Sequence, residues 1–141
     1  MFDELEAYKN HDHFFLNRDQ SLAETCNAPK DIAGVYVVYR LANGGIDLVY
    51  IGSSGKITNN GKLKIRKGGL YDRIVSGKQF GEPRQISWSK KMENDDIDAL
   101  DIYWYETFNK ITKDIPAFTE AIILQRYFDI HETLPSWNKE F

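Results

Sequence analysis

A carboxylate stands where hydrocarbon is expected. Residues 116–131 read as the longest helix of the chain. At about 100° per residue, an apolar arc on it runs through Ile123, Tyr127, Leu124, Ala117, Phe128 and Ala121. Glu120 falls inside that arc, between Tyr127 and Leu124. A carboxylate on a buried face is costly unless it is paired or bound to a cation. The competing reading is a glutamate near the helix start, favoured by the dipole and reaching free N–H groups. The cations are concentrated elsewhere. Residues 56–91 hold ten basic side chains against two acidic ones, a local charge of +8. From residue 92 onward four basic face eleven acidic ones, −7, so the chain total of −3 hides the asymmetry. A local basic patch is what meets phosphates, although a solvated lysine-rich loop has the same composition. Other groups carry weaker signals. His11-Asp12-His13 has the two-apart spacing that binds metal from a strand, but no third ligand is near. Cys26 has no motif around it that would activate a thiol.

The element that must position this chemistry is residues 34–52, GVYVVYRLANGGIDLVYIG. Residues 35–41 and 46–51 are rich in Val, Ile and Tyr, which fit a pleated, half-buried surface. Ala42-Asn43-Gly44-Gly45 between them holds residues that accept the positive φ of a tight hairpin turn. The hairpin brings Tyr36 and Tyr50 into one sheet, either as ordinary strand tyrosines or as functional ones. A glycine-rich loop follows, with a minor hairpin of residues 56–57 against 63–65 turning at Asn59-Asn60-Gly61. It lacks Walker A spacing, and Gly55-Lys56 alone is a weak nucleotide signal. Residues 70–76 predict a short helix containing Arg73, stopped by Gly77. Residues 83–92 predict a second helix opened by Pro83. Residues 100–108 alternate as a third strand, with Leu100, Ile102, Trp104 and Glu106 on one face. Near the N-terminus, residues 2–9 read as a short amphipathic helix. Ser21 and Glu24 have capping-box spacing.

With 141 residues, 42% hydrophobic and 13% aromatic, the chain is expected to form one domain with a real core. A helical extension over residues 1–32 precedes the main unit, residues 33–141. No apolar run approaches the roughly 20 residues of a membrane span. The acidic N-terminus has no apolar signal core. A single cysteine excludes an internal disulfide and any zinc ribbon. A cytoplasmic location is therefore expected, with no membrane partner.

Taken together, Gly34-Val35-Tyr36, Tyr50-Ile51-Gly52, Arg73, Glu120 and Asn138 resemble the pattern of the GIY-YIG nuclease family across residues 34–138. The resemblance implies an α/β (α+β) fold: a small three-stranded antiparallel sheet flanked by helices. It also implies a metal-dependent endonuclease that hydrolyses phosphodiester bonds in DNA, RNA remaining open as a substrate. Glu120 would hold one divalent cation, Mg²⁺ or Mn²⁺, since carboxylate oxygens suit hard ions. Arg73 would pair with the scissile phosphate through its planar fork. Tyr36 would serve as general base or water-positioner, Tyr50 would orient the water or a phosphate oxygen, and Lys56 would lower the pKa of the base. Asn138 would position its neighbours. Lys62, Lys64, Arg66, Lys67 and Lys78 are the expected nucleic-acid contacts. The chain departs from the pattern at Gly77, where many members carry His or Tyr four residues after the helix arginine; Tyr71 or Lys78 would have to substitute. There is no room for a separate specificity domain, so a homodimer or a partner protein would supply targeting. A non-catalytic nucleic-acid-binding module of the same fold is the alternative.

Overall fold

The computed structural model describes residues 2–141. A 3-10 turn over Asp3–Ala7 leads into strand β1 (His11–Asn17) and one turn of helix, α1 (Leu22–Thr25). The hairpin follows as β2 (Gly34–Ala42) and β3 (Gly45–Ser54), then a small arm of β4 (Lys56–Ile57) and β5 (Leu63–Lys64). Helix α2 (Gly69–Ser76), the short pair β6 (Lys78–Gln79) and β7 (Glu82–Pro83), and helix α3 (Arg84–Asn94) come next. Strand β8 (Ala99–Glu106) and helix α4 (Pro116–His131) complete the order.

The fold is mixed α/β around a four-stranded antiparallel sheet, β1-β8-β2-β3. The turn of the central hairpin is set by Asn43 and Gly44, with φ of +53° and +73°. Two successive positive φ values match the right-handed twist of the flanking strands. Strand alternation sorts β2 onto two cores. Tyr36 and Val38 pack with Leu100, Ile102, Trp104, Ile74, Trp88 and Trp137 on one face. Val35 and Val37 pack with Ile51, Ile123, Leu124, Leu5 and Tyr8 on the other. The sheet is thus covered on both faces, by α1–α3 on one side and by α4 with the N-terminal turn on the other. Strand β3 is left as an edge, and the candidate site is built there.

The expected three strands are four. The additional strand, β1, comes from the segment expected as a helical extension, residues 1–32, which instead holds a 3-10 turn, a strand and one helical turn. Phe14 and Leu16 of β1 are buried against the sheet, while His11, Asp12 and Phe15 are exposed. Two core residues among histidines and aspartate make a short, faint alternation, and pairing with β8 stabilises it. The predicted capping contact is present: the Glu24 N–H donates to Ser21 Oγ at 3.3 Å. The predicted arm is present too, with Ile57 opposite Leu63 and Gly61 at φ +81° in its turn. Helix α4 buries Pro116, Thr119, Ile123 and Leu124. Ala117 and Phe128, placed in the apolar arc by sequence, are exposed, because the buried face is rotated away from them toward Thr119.

Candidate active site at the sheet edge

The C-terminal segment docks on the open edge of β3. Asn138 pairs with the main chain of Ile51 in both directions: it accepts from the Ile51 N–H at 3.0 Å and donates to its C=O at 3.0 Å. The Trp137 N–H donates to the Val49 carbonyl at 2.8 Å. A side-chain amide therefore imitates one rung of a further strand, satisfying groups an edge would leave open. The β2–β3 register shifts beside Val49: Tyr39 faces Leu48 and Val38 faces Tyr50. This bulge re-aims the strand just before Tyr50.

Both motif glycines answer to close approach. A Cβ on Gly34 would lie 1.8 Å from the Tyr105 carbonyl oxygen of β8. A Cβ on Gly52 would lie 2.5 Å from Cζ and 2.6 Å from the hydroxyl of Tyr36, which faces it across the hairpin. The Tyr36 ring therefore lies over Gly52, with 0% of the residue exposed. Its hydroxyl has no hydrogen-bond partner among the described residues. Tyr50 is half-buried on the same face, its ring centroid 5.9 Å from that of Tyr36. Burial, with the neighbouring Tyr36, pushes the Tyr50 phenol up to about 12, against the pull of Arg84 and Arg73.

On the other side of the edge, Glu120 reaches β3. Ser53 Oγ donates to Glu120 Oε1 at 2.6 Å. Glu120 is the fifth residue of α4, so this contact, rather than the free N–H groups of the first turn, is what the side chain uses. Burial pushes its carboxyl above the usual range, and the Ser53 hydrogen bond and the charge of Arg73 partly oppose this. Beside it lies an open basin of about 670 Å³ lined by Ser53, Ser54, Lys56, Lys64, Arg66 and Arg73, with Ala117 of α4 on its rim. Arg66 is tied to Asp72 at 2.7 Å.

The structure thus brings Lys56, Lys64, Arg66 and Arg73 to one basin beside the Ser53–Glu120 pair. Lys62 and Lys67 are exposed in the loop region of the β4–β5 arm. Lys78 is placed apart from them, in a second hollow of about 300 Å³ shared with Tyr50, Phe80, Trp137, Asn138 and Lys139. Neither tyrosine is among the residues lining the basin. The histidine pair faces elsewhere: His13 Nδ1 lies 2.8 Å from Asp101 Oδ1, and its ring stacks on Tyr103. Cys26 is buried, which raises its thiol to about 11.

One residue that sequence reading missed is Arg84. It opens α3, is only 2% exposed, and holds its guanidinium 5.4 Å from the Tyr36 ring and 5.2 Å from the Tyr50 ring. Arginine at a helix start next to proline reads as surface. The available signal was Gly77, whose missing side chain leaves the space the guanidinium fills.

A divalent cation would need hard oxygen donors. The Glu120 carboxylate offers them, and a carboxylate half-buried without a full countercharge favours one. No group of three or more His, Cys, Asp or Glu is gathered for a metal among the described residues. No helix among them is long and apolar enough to cross a membrane. Compared with models of known families, with curated proteins and with solved structures, the chain matches none.

Proposed function

We propose that the chain is a divalent-cation-dependent endonuclease that hydrolyses phosphodiester bonds in DNA at a single GIY-YIG-like site. The observation that carries the reading is the basin at the β3 edge, where a basic wall of Lys56, Lys64 and Arg73 adjoins the Ser53–Glu120 pair. In this reading the family's three strands correspond to β3, β2 and β8, and β1 is an addition at the far edge.

Arg73 grips the scissile phosphate as a planar fork, and Lys56 and Lys64 add positive charge in the same basin. Tyr50, protonated at neutral pH, donates its hydroxyl hydrogen to the attacking water or to a phosphate oxygen. Tyr36 needs a small opening at Gly52 to reach that water. Asn138 holds Ile51 and so fixes Tyr50 and Ser53 on either side of it. Lys62, Arg66 and Lys67 follow the backbone leading to the basin, and Lys78 meets it beyond Tyr50. Glu120 is the residue that would hold Mg²⁺ or Mn²⁺, whose chemistry when bound is Lewis-acid stabilisation of charge on the phosphate and leaving oxygens. The protein works in the cytoplasm, and a homodimer or a partner protein gives it sequence selection.

The test is nicking of supercoiled plasmid with Mg²⁺, with Mn²⁺ and with chelator, beside a single-stranded RNA substrate. Nicking that needs the cation supports the reading. Salt-dependent binding with no cleavage in any cation overturns it in favour of a non-catalytic binding module of the same fold. The complete burial of Tyr36 is the observation that favours this second reading.

A further inference from the structure

Arg84 is a cation sealed inside the protein without an anion. Its Nη1 donates to the Arg73 carbonyl at 2.9 Å and its Nε to Gln79 Oε1 at 3.1 Å, both neutral acceptors. The Gln79 oxygen is shared with Trp88 Nε1 at 2.8 Å. Among the described residues no carboxylate forms an ion pair with it. The guanidinium carbon instead lies over three rings, Tyr36, Tyr50 and Trp88, at 5.4, 5.2 and 5.3 Å. Its slot exists because residue 77 is glycine: a Cβ there would lie 2.5 Å from Arg84 Nη1 and 2.7 Å from the Arg73 carbonyl. A buried charge without a partner costs several kcal/mol, and a neutral side chain of the same length would avoid it. Aromatic faces return part of that, and return more when a ring carries negative charge.

We infer that Arg84 is the internal countercharge of Tyr50, a positioning residue that acts through that phenol by making its ionised form less unfavourable. The alternative cations are weaker candidates on screening grounds. The groups whose charge reaches Tyr50 are Tyr36 from β2, Arg84 from α3, Arg73 from α2 and, across the edge, Glu120 from α4, with Lys78, Lys139 and Glu140 around the hollow it lines. Arg73, Lys78, Lys139 and Glu140 are exposed, so solvent and salt weaken them. Glu120 opposes ionisation. Arg84 alone among the cations is buried, so its field on the rings is the least screened. It takes the space left by the missing side chain at position 77 and delivers a fixed positive charge there. The inference rests on the nuclease reading only for the use made of the Tyr50 hydroxyl, which a nearby cation makes a stronger hydrogen-bond donor while it stays protonated.

The test is titration of fluorotyrosine-labelled protein by fluorine NMR, with the resonances assigned by Tyr50→Phe and Tyr36→Phe. Arg84→Met removes the charge and keeps the length. Arg84→Lys keeps the charge. In Arg84→Met the ionisation midpoint of Tyr50 should rise by at least one pH unit, about a tenfold weaker acid. In Arg84→Lys it should stay within half of that change. An unchanged midpoint in folded Arg84→Met overturns the inference and leaves Arg84 a packing residue. Should Arg84→Met fail to fold, the lysine variant decides: a full-unit rise there, with the charge retained, also overturns it. Plasmid nicking plays no part in this measurement, so the inference and the nuclease reading fail separately.

Discussion

Gly52 and Glu120 each carry a consequence that a single substitution reads out. In Gly52→Ala the new methyl meets the Tyr36 ring at 2.5 Å, and neither the strand nor the buried ring has room to give. A loss of roughly 1–3 kcal/mol in urea unfolding is expected. Unchanged stability would mean that Tyr36 is not held over Gly52. For Glu120 the prediction concerns pH. Its folded pKa is raised from the ordinary 4.5, so the ionised form is worse off in the folded chain than in the unfolded one. Below the unfolded value nothing is lost; stability falls as pH rises through the folded value. Cation-free Glu120→Gln should therefore gain on the wild type from acid to neutral pH. Mg²⁺ or Mn²⁺ should raise the melting temperature of the wild type and not of Glu120→Gln. A melting curve indifferent to cation in both would remove Glu120 as its holder. Glu120 is legible in the sequence because helical arithmetic puts it among apolar neighbours. Arg84 is not, because its burial depends on Gly77, seven residues away at the end of α2.

At the scale of elements, the edge of β3 depends on a side chain from the far end of the chain. Asn138→Ala removes both hydrogen bonds to Ile51, at a cost of about 1–3 kcal/mol. The Ile51 amide should lose much of its protection in native-state hydrogen exchange, while those of β8 keep theirs. Asn138→Asp should do no better, since a carboxylate would face the Ile51 carbonyl. Retained protection at Ile51 in either variant would show that the edge needs no such partner. The β2–β3 hairpin was readable because valine, tyrosine and an Asn-Gly turn all point one way. The β4–β5 arm was readable for the same reason at Asn60-Gly61. Strand β1 was not, because two buried residues among polar ones carry little pattern and its stability comes from β8. The pair β6–β7 turns at Phe80 with φ +56°, a conformation that a sequence rule would not assign to phenylalanine.

Over the whole molecule the uneven charge becomes a surface. The lysines and arginines of the β4–β5 arm stand beside the basin, where the acidic C-terminal third brings Glu120 to Ser53. Composition located that patch but could not say that Lys78 lies apart from it, in a second hollow with Tyr50. Alanine at both Lys62 and Lys67 should weaken DNA binding about equally for all sequences and flatten the salt dependence by roughly two. An unchanged slope would place the nucleic acid on another face. The most direct test of the central claim is the nicking rate of supercoiled plasmid in Mn²⁺ or Mg²⁺ by wild type, Arg73→Ala and Glu120→Ala, each shown to be folded. A wild-type rate at least about 100-fold above both variants is the expected result. Equal rates in all three proteins would contradict it.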